Sequence, residues 1–103
     1  MNATDAGRAH LPPDLTGCLE RVRRGDQDAA RELIEQVGPM VNRIVRMHLP
    51  RRDSAEDLTQ EVFIKMFTRL GQYRGTSSFR GWLAQVARRT CYDHLRAQRL
   101  RAL

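Results

Sequence analysis

Six residues near the C-terminal end have types suited to reading a polyanion: Gln85, Arg88, Arg89, Tyr92, Arg96 and Arg99. At about 100° per residue they fall within roughly one third of a helix circumference. Arginine pairs bidentately with phosphates and with guanine edges, glutamine can read a base, and tyrosine can stack. A plain solvated face usually mixes signs, and here only Asp93 interrupts the positive run. The stripe is therefore expected to contact nucleic acid.

Just upstream, Tyr73, Phe79 and Trp82 lie among Arg74, Ser77, Ser78 and Arg80. Rings beside arginines and small hydroxyls suit unstacked bases, because a ring stacks on a base face and hydroxyls satisfy base edges. Phe79 reads equally well as a core anchor. Trp82 falls between the apolar face of its helix and the basic stripe, and is expected to act on the ligand side. A third group, Asp57, Gln60 and Glu61, has i, i+3 and i+4 spacing and makes an acidic and amide patch on one helix face. Its sign is wrong for DNA, so any partner it has is a protein.

Nothing in the sequence points to catalysis. The three histidines, His10, His48 and His94, have no paired carboxylate or nucleophile in a productive relation. His48 and His94 are expected at the edge of the core. Cys18 and Cys91 are far apart, and neither has a second ligand at metal spacing, so two reduced thiols are expected, with a disulfide the lesser alternative, and no metal or cofactor.

The formal net charge is +6, and its distribution matters more than its sum. Residues 1–64 carry nine arginines against eleven acids, whereas residues 65–103 carry nine basic residues against the single acid Asp93. Such a basic segment attracts nucleic acid, although a membrane surface or an acidic protein would also suit it. No run approaches the ~18 apolar residues of a membrane span, and residues 1–13 lack the apolar block of a secretory signal. They read as a flexible leader on a cytoplasmic protein.

These groups need helices to position them, and strand patterning is absent. A short helix is expected from Asp14 or Leu15 to Arg24, stopped by Gly25, with Leu15, Cys18, Leu19 and Val22 as its stripe. Asp26 then looks like an N-cap for a long helix. Its apolar residues are Ala30, Leu33, Ile34, Val37, Met40, Val41, Ile44, Val45 and His48, and Pro39 is expected to kink or briefly break it. After a polar connection at Arg51–Asp53, Ser54 and Asp57 resemble a capping box. The third helix, about Ala55–Leu70, places Leu58, Val62, Met66 and Leu70 inward, widened by Phe63 and Phe67, and Gly71 closes it. Ser77 or Ser78 caps the last helix, which runs to about Arg99 with Phe79, Leu83, Val86, Ala87 and Thr90 inward. The expected fold is all-α, a small bundle of about four helices with a long basic last helix, in one domain over residues 14–103.

The run Ala55-Glu56-Asp57-Leu58-Thr59-Gln60-Glu61-Val62-Phe63-Ile64-Lys65, followed by Tyr73-Arg74-Gly75-Thr76-Ser77-Ser78-Phe79 and Trp82-Leu83, resembles region 2 of sigma-70 family RNA polymerase sigma factors, and the extracytoplasmic-function group in particular. The resemblance covers about Leu15 to Arg101. It implies that Asp57, Gln60 and Glu61 dock on the β′ clamp helices of the polymerase core. It also implies that Tyr73 to Phe79 capture a base flipped from the non-template strand of the promoter −10 element, that Trp82 assists melting, and that the basic stripe is the −10 recognition helix. An anti-sigma protein is a further expected partner. The chain departs from the family at Arg89, where Asn is frequent, at Ala84, where an aromatic is frequent, and at Gln85, where Lys or Arg is common. The second helical domain such factors use to read the −35 element is not in this sequence, so a fragment of a longer factor is expected. Two other readings remain: a duplex-DNA-binding helical domain, which would not need the aromatic cluster, and a protein-interaction bundle whose basic helix binds an acidic partner.

Overall fold

A computed structural model describes residues 15–49, 54–75 and 78–103. Among them are four α-helices and no strand: α1 (Thr16–Arg23), α2 (Gln27–His48), α3 (Ala55–Arg69) and α4 (Phe79–Arg101), with a 3-10 turn at Leu70–Gln72 between α3 and α4. No helix among the described residues is long and apolar enough to cross a membrane. The chain divides into two compact units, up to Gln36 and from Val37 onwards. The expected leader and the Arg51–Asp53 connection lie outside the described residues.

In the first unit α1 ends in a Schellman arrangement. Gly25 takes a φ of 89°, its N–H donates to the Val22 carbonyl at 2.9 Å, and the Asp26 N–H reaches back to Arg21 O at 3.0 Å. Only glycine adopts that left-handed backbone without a Cβ penalty, which is why the sequence stops the helix there. Asp26 then caps α2 as expected, its Oδ1 accepting from the Asp28 and Ala29 amides at 2.9 and 3.1 Å. Arg21 crosses from α1 to pair with Glu32 and lies 4.0 Å from Asp26. Leu15 and Leu19 are buried, and Cys18 and Val22 half-buried. The Cys18 Sγ lies 3.3 Å from Ala29 O.

Of the kink or short break expected at Pro39, the break does not occur, and α2 is continuous through it. Proline removes one amide donor and in a helix interior its ring crowds the carbonyl four residues back, a cost that α2 carries, while Gly38, with no Cβ, removes the further clash with the residue before proline. A Cβ at Gly38 would lie 3.7 Å from the Phe63 ring, an ordinary van der Waals contact. Burial along α2 falls on Ala29, Leu33, Val37, Val41 and Val45. Ile34, on the expected apolar stripe, and His48, expected at the core edge, are exposed, and the His48 ring folds back on Ile44 O at 2.8 Å. Ala29, not expected inside, is fully buried.

In the second unit α3 packs against α4. Ala55, Leu58, Val62, Met66 and Leu70 are buried, with Phe63 and Phe67 half-buried beside them. Ser54 stands at the N-cap of α3 with helical φ and ψ and no side-chain bond to the helix, so the expected capping box is not formed. A capping hydroxyl needs an extended backbone to reach the first amides, and Ser54 is already wound into the helix. Gly71 does not take the left-handed conformation of a helix stop either. It lies within the 3-10 turn, whose Leu70 carbonyl accepts the Tyr73 N–H at 3.2 Å. On α4 the buried set is Phe79, Leu83, Ala84, Ala87, Thr90 and Cys91. Val86 is only half-buried, and Ala84 and Cys91 were not expected inside.

Candidate nucleic-acid interface and docking face

The 3-10 turn delivers Tyr73 in an extended conformation, and the chain then turns at Gly75, whose φ of 76° again requires glycine. Thr76 and Ser77 lie outside the described residues, so the role expected of Ser77 has no structural counterpart here. Ser78 is exposed and caps α4, its Oγ accepting the Gly81 N–H at 3.3 Å.

Tyr73, Phe79 and Trp82 form a closed triangle. Tyr73 meets Phe79 edge-on with centroids 5.3 Å apart, Tyr73 and Trp82 are 5.8 Å apart, and Phe79 and Trp82 are 5.5 Å apart. Such edge-to-face and tilted pairs add about 0.5–1.5 kcal/mol beyond their burial. Phe79 is 5% exposed, whereas Tyr73 and Trp82 are half-buried. Phe79 is therefore the floor of the cluster, and the two outer rings keep accessible surface. Arg74 is exposed at the rim.

From Trp82 onwards the outward face of α4 carries Gln85, Arg88, Arg89, Tyr92, Arg96 and Arg99, and all six are exposed. Tyr92, at 64% exposure, stands among the four guanidiniums. None of these arginines forms an ion pair among the described residues. Asp57, Gln60 and Glu61 are likewise exposed on α3. No ion pair among the described residues joins Asp57 or Glu61 to Arg88 or Arg96.

Two features of this region were not read from the sequence. Ile64 is 62% exposed, one turn on from Gln60 and Glu61, which puts an aliphatic side chain in the acidic face. Its helical position was legible, but a lone isoleucine in an apolar-rich helix looks like core. The second is a polar bridge beneath that face. Lys65, 4.0 Å from Glu61, donates to Thr90 Oγ1 at 3.2 Å, and Thr90 donates in turn to Val86 O at 2.7 Å. Thr90 is 2% exposed, so its hydroxyl is satisfied by this bridge between α3 and α4. The i, i+4 spacing of Glu61 and Lys65 was a signal for half of it.

Both cysteines are free thiols. Burial pushes the Cys91 thiol above its ordinary range, and Glu61 adds to the effect. Cys18 is raised by burial and then by Glu32. Both are held as neutral thiols, which makes poor nucleophiles of them. His94 is half-buried, with its Nε2 buried and unbonded among the described residues. No group of three or more potential metal ligands occurs among the described residues.

A family model described as Sigma-70 region 2 matches residues 33–101. Among curated proteins, the ECF RNA polymerase sigma-E factor of Escherichia coli (strain K12) is 38% identical over 80 residues, covering 78% of this chain and 41% of the relative. The ECF RNA polymerase sigma-E factor of Salmonella typhi matches with the same identity and coverage. The RNA polymerase sigma-H factor of Pseudomonas aeruginosa is 35% identical over 80 residues, covering 78% of this chain and 42% of that protein. The chain thus spans about two fifths of the length of the curated relatives it matches.

Proposed function

This chain belongs to the sigma-70 family, in its extracytoplasmic-function group and through region 2, and from that premise we propose that it acts in transcription initiation as a two-sided adaptor. The α3 face of Asp57, Gln60 and Glu61 tethers it to the β′ clamp helices of the polymerase core. The arginines of α4 hold promoter DNA phosphates, and Tyr73 and Trp82, backed by Phe79, take a base flipped from the non-template strand of the −10 element. Arg74, Ser77 and Ser78 are the further residues assigned to base capture. Extruding a base costs a few kcal/mol, and stacking returns about 1–3 kcal/mol per base. Selective binding of the open form draws the duplex towards melting, with no bond made or broken by the protein. The setting is the cytoplasm, and an anti-sigma protein is a partner that would hold the factor inactive.

One observation carries this reading: two half-exposed rings stand on a buried third at the head of a helix whose exposed arginines have no acidic partner among the described residues. A duplex-binding domain has no use for those rings, and a bundle that binds only an acidic protein has none either. The test is fluorescence anisotropy with single-stranded and duplex promoter oligonucleotides. The expected outcome is preference for the single strand, weakened by roughly tenfold or more in Trp82→Ala or Tyr73→Ala. Unchanged affinity in both variants removes base capture. For the tether, recovery of polymerase core by Asp57→Ala and Glu61→Ala chains is expected to fall, and undiminished recovery excludes that face.

A further inference from the structure

We propose that the C-terminal half of α2 is a docking strip for an acidic amphipathic helix of a partner protein, separate from both faces described above. Between Glu35 and Asp53 the sequence holds four arginines, Arg43, Arg46, Arg51 and Arg52, and no acid. Within this stretch α2 is apolar over more of its circumference than the core uses. Val37, Val41 and Val45 are fully buried. Beside them Met40, Ile44 and Met47, at i, i+4 and i+7, form a second row that runs outward: Met40 and Ile44 are half-buried, and Met47 is 74% exposed. That spacing is the footprint of helix-in-groove recognition, and methionine, unbranched and polarisable, adapts to a partner's side chains.

Charge identifies the occupant. Arg43 flanks the row and Arg46 stands further round the helix, both exposed. The Arg46 Nε donates to Asn42 Oδ1 at 3.2 Å, and neither guanidinium meets a carboxylate among the described residues. A helix with an apolar row for Met40, Ile44 and Met47 and acids along its edge would satisfy both features. Nucleic acid would satisfy only the arginines and would leave the aliphatic row wet. The α4 stripe shows the contrast, since its arginines are accompanied by an amide and a phenol rather than by an aliphatic row.

The test uses a fluorescein-labelled synthetic amphipathic peptide with a leucine row and glutamates on its other positions, beside a twin with lysine for glutamate. Anisotropy and 15N amide shifts of the chain are recorded for each, and again with duplex DNA. The acidic peptide is expected to bind better than its twin and to shift amides at Met40 to His48. Met47→Glu and Arg43→Glu are expected to weaken it roughly fivefold or more, the loss typical of an interface anchor. Because Met47 is largely exposed, Met47→Glu should keep the wild-type unfolding transition and its single-strand affinity. Met47→Ala, with a smaller loss in the same direction, serves as the second variant. Binding of neither peptide, equal binding of both, shifts centred on Arg88 to Arg99, or a strip that responds to duplex DNA and not to the acidic peptide would each overturn the proposal.

Discussion

Helix α4 is one element treated in two ways. From Phe79 to Cys91 it is pinned, with Phe79, Leu83, Ala84, Ala87, Thr90 and Cys91 buried and Thr90 bonded across to Lys65. From Tyr92 to Arg101 none of its residues is buried, and Leu100 is 61% exposed. The first stretch is held by packing, and the second, where only His94 and Leu95 are half-buried, depends largely on helix propagation, which in water is marginal over so few turns. Arg88 and Arg89 thus stand on a fixed frame beside the aromatic triangle, while Arg96 and Arg99 stand on a segment free to fray. Under the proposed function, precise base recognition falls to the first stretch. The second suits phosphate attraction, which tolerates motion.

The largest effect that would test this contrast is on stability. Leu83→Ala removes a fully buried side chain and is expected to cost about 2–5 kcal/mol, while Leu95→Ala, half-buried beyond Cys91, should cost under about 1 kcal/mol. Urea denaturation measures both, and equal losses would show that the distal stretch is packed after all. Next comes the bridge. Thr90→Val deletes the acceptor of a mostly covered ammonium, and a loss of about 1–3 kcal/mol is expected in the same assay. Adding Lys65→Met should cost less than in the wild-type background, because the unsatisfied charge is gone, and strict additivity would deny the bridge any role. The smallest effect lies at the far end. Arg96→Ala and Arg99→Ala should leave stability within about 0.5 kcal/mol and lower the salt dependence of single-strand binding by about 0.7 in slope for each phosphate left unneutralised. A salt slope that changes only for Arg88→Ala would confine nucleic-acid binding to the pinned stretch.

Helix number, order and rough extent were legible because period and punctuation agree: Gly25 stops α1, Asp26 caps α2, and Ser78 caps α4. The outward positions of Gln85 to Arg99 followed from the same period. The errors were local. Ser54 has the right type for a cap but the wrong backbone, and Pro39 sits inside a helix that runs on without the break that was one of two expectations. Small residues misled most: Ala29, Ala84 and Cys91 are buried because a neighbouring element comes close, and their own hydropathy gives little sign of it.

By itself the sequence determined the helices, the separation of acidic from basic residues, and the three aromatics near one helix start. These are properties of period and composition, carried within a single element or its caps. Tertiary structure decided which ring is floor and which are accessible, that Lys65 reaches Thr90, and that Ile64 and Met47 stay outside while neighbours of like chemistry go in. Each depends on how closely two elements approach. That distance is set by every side chain at the interface together, and no single window along the sequence contains it.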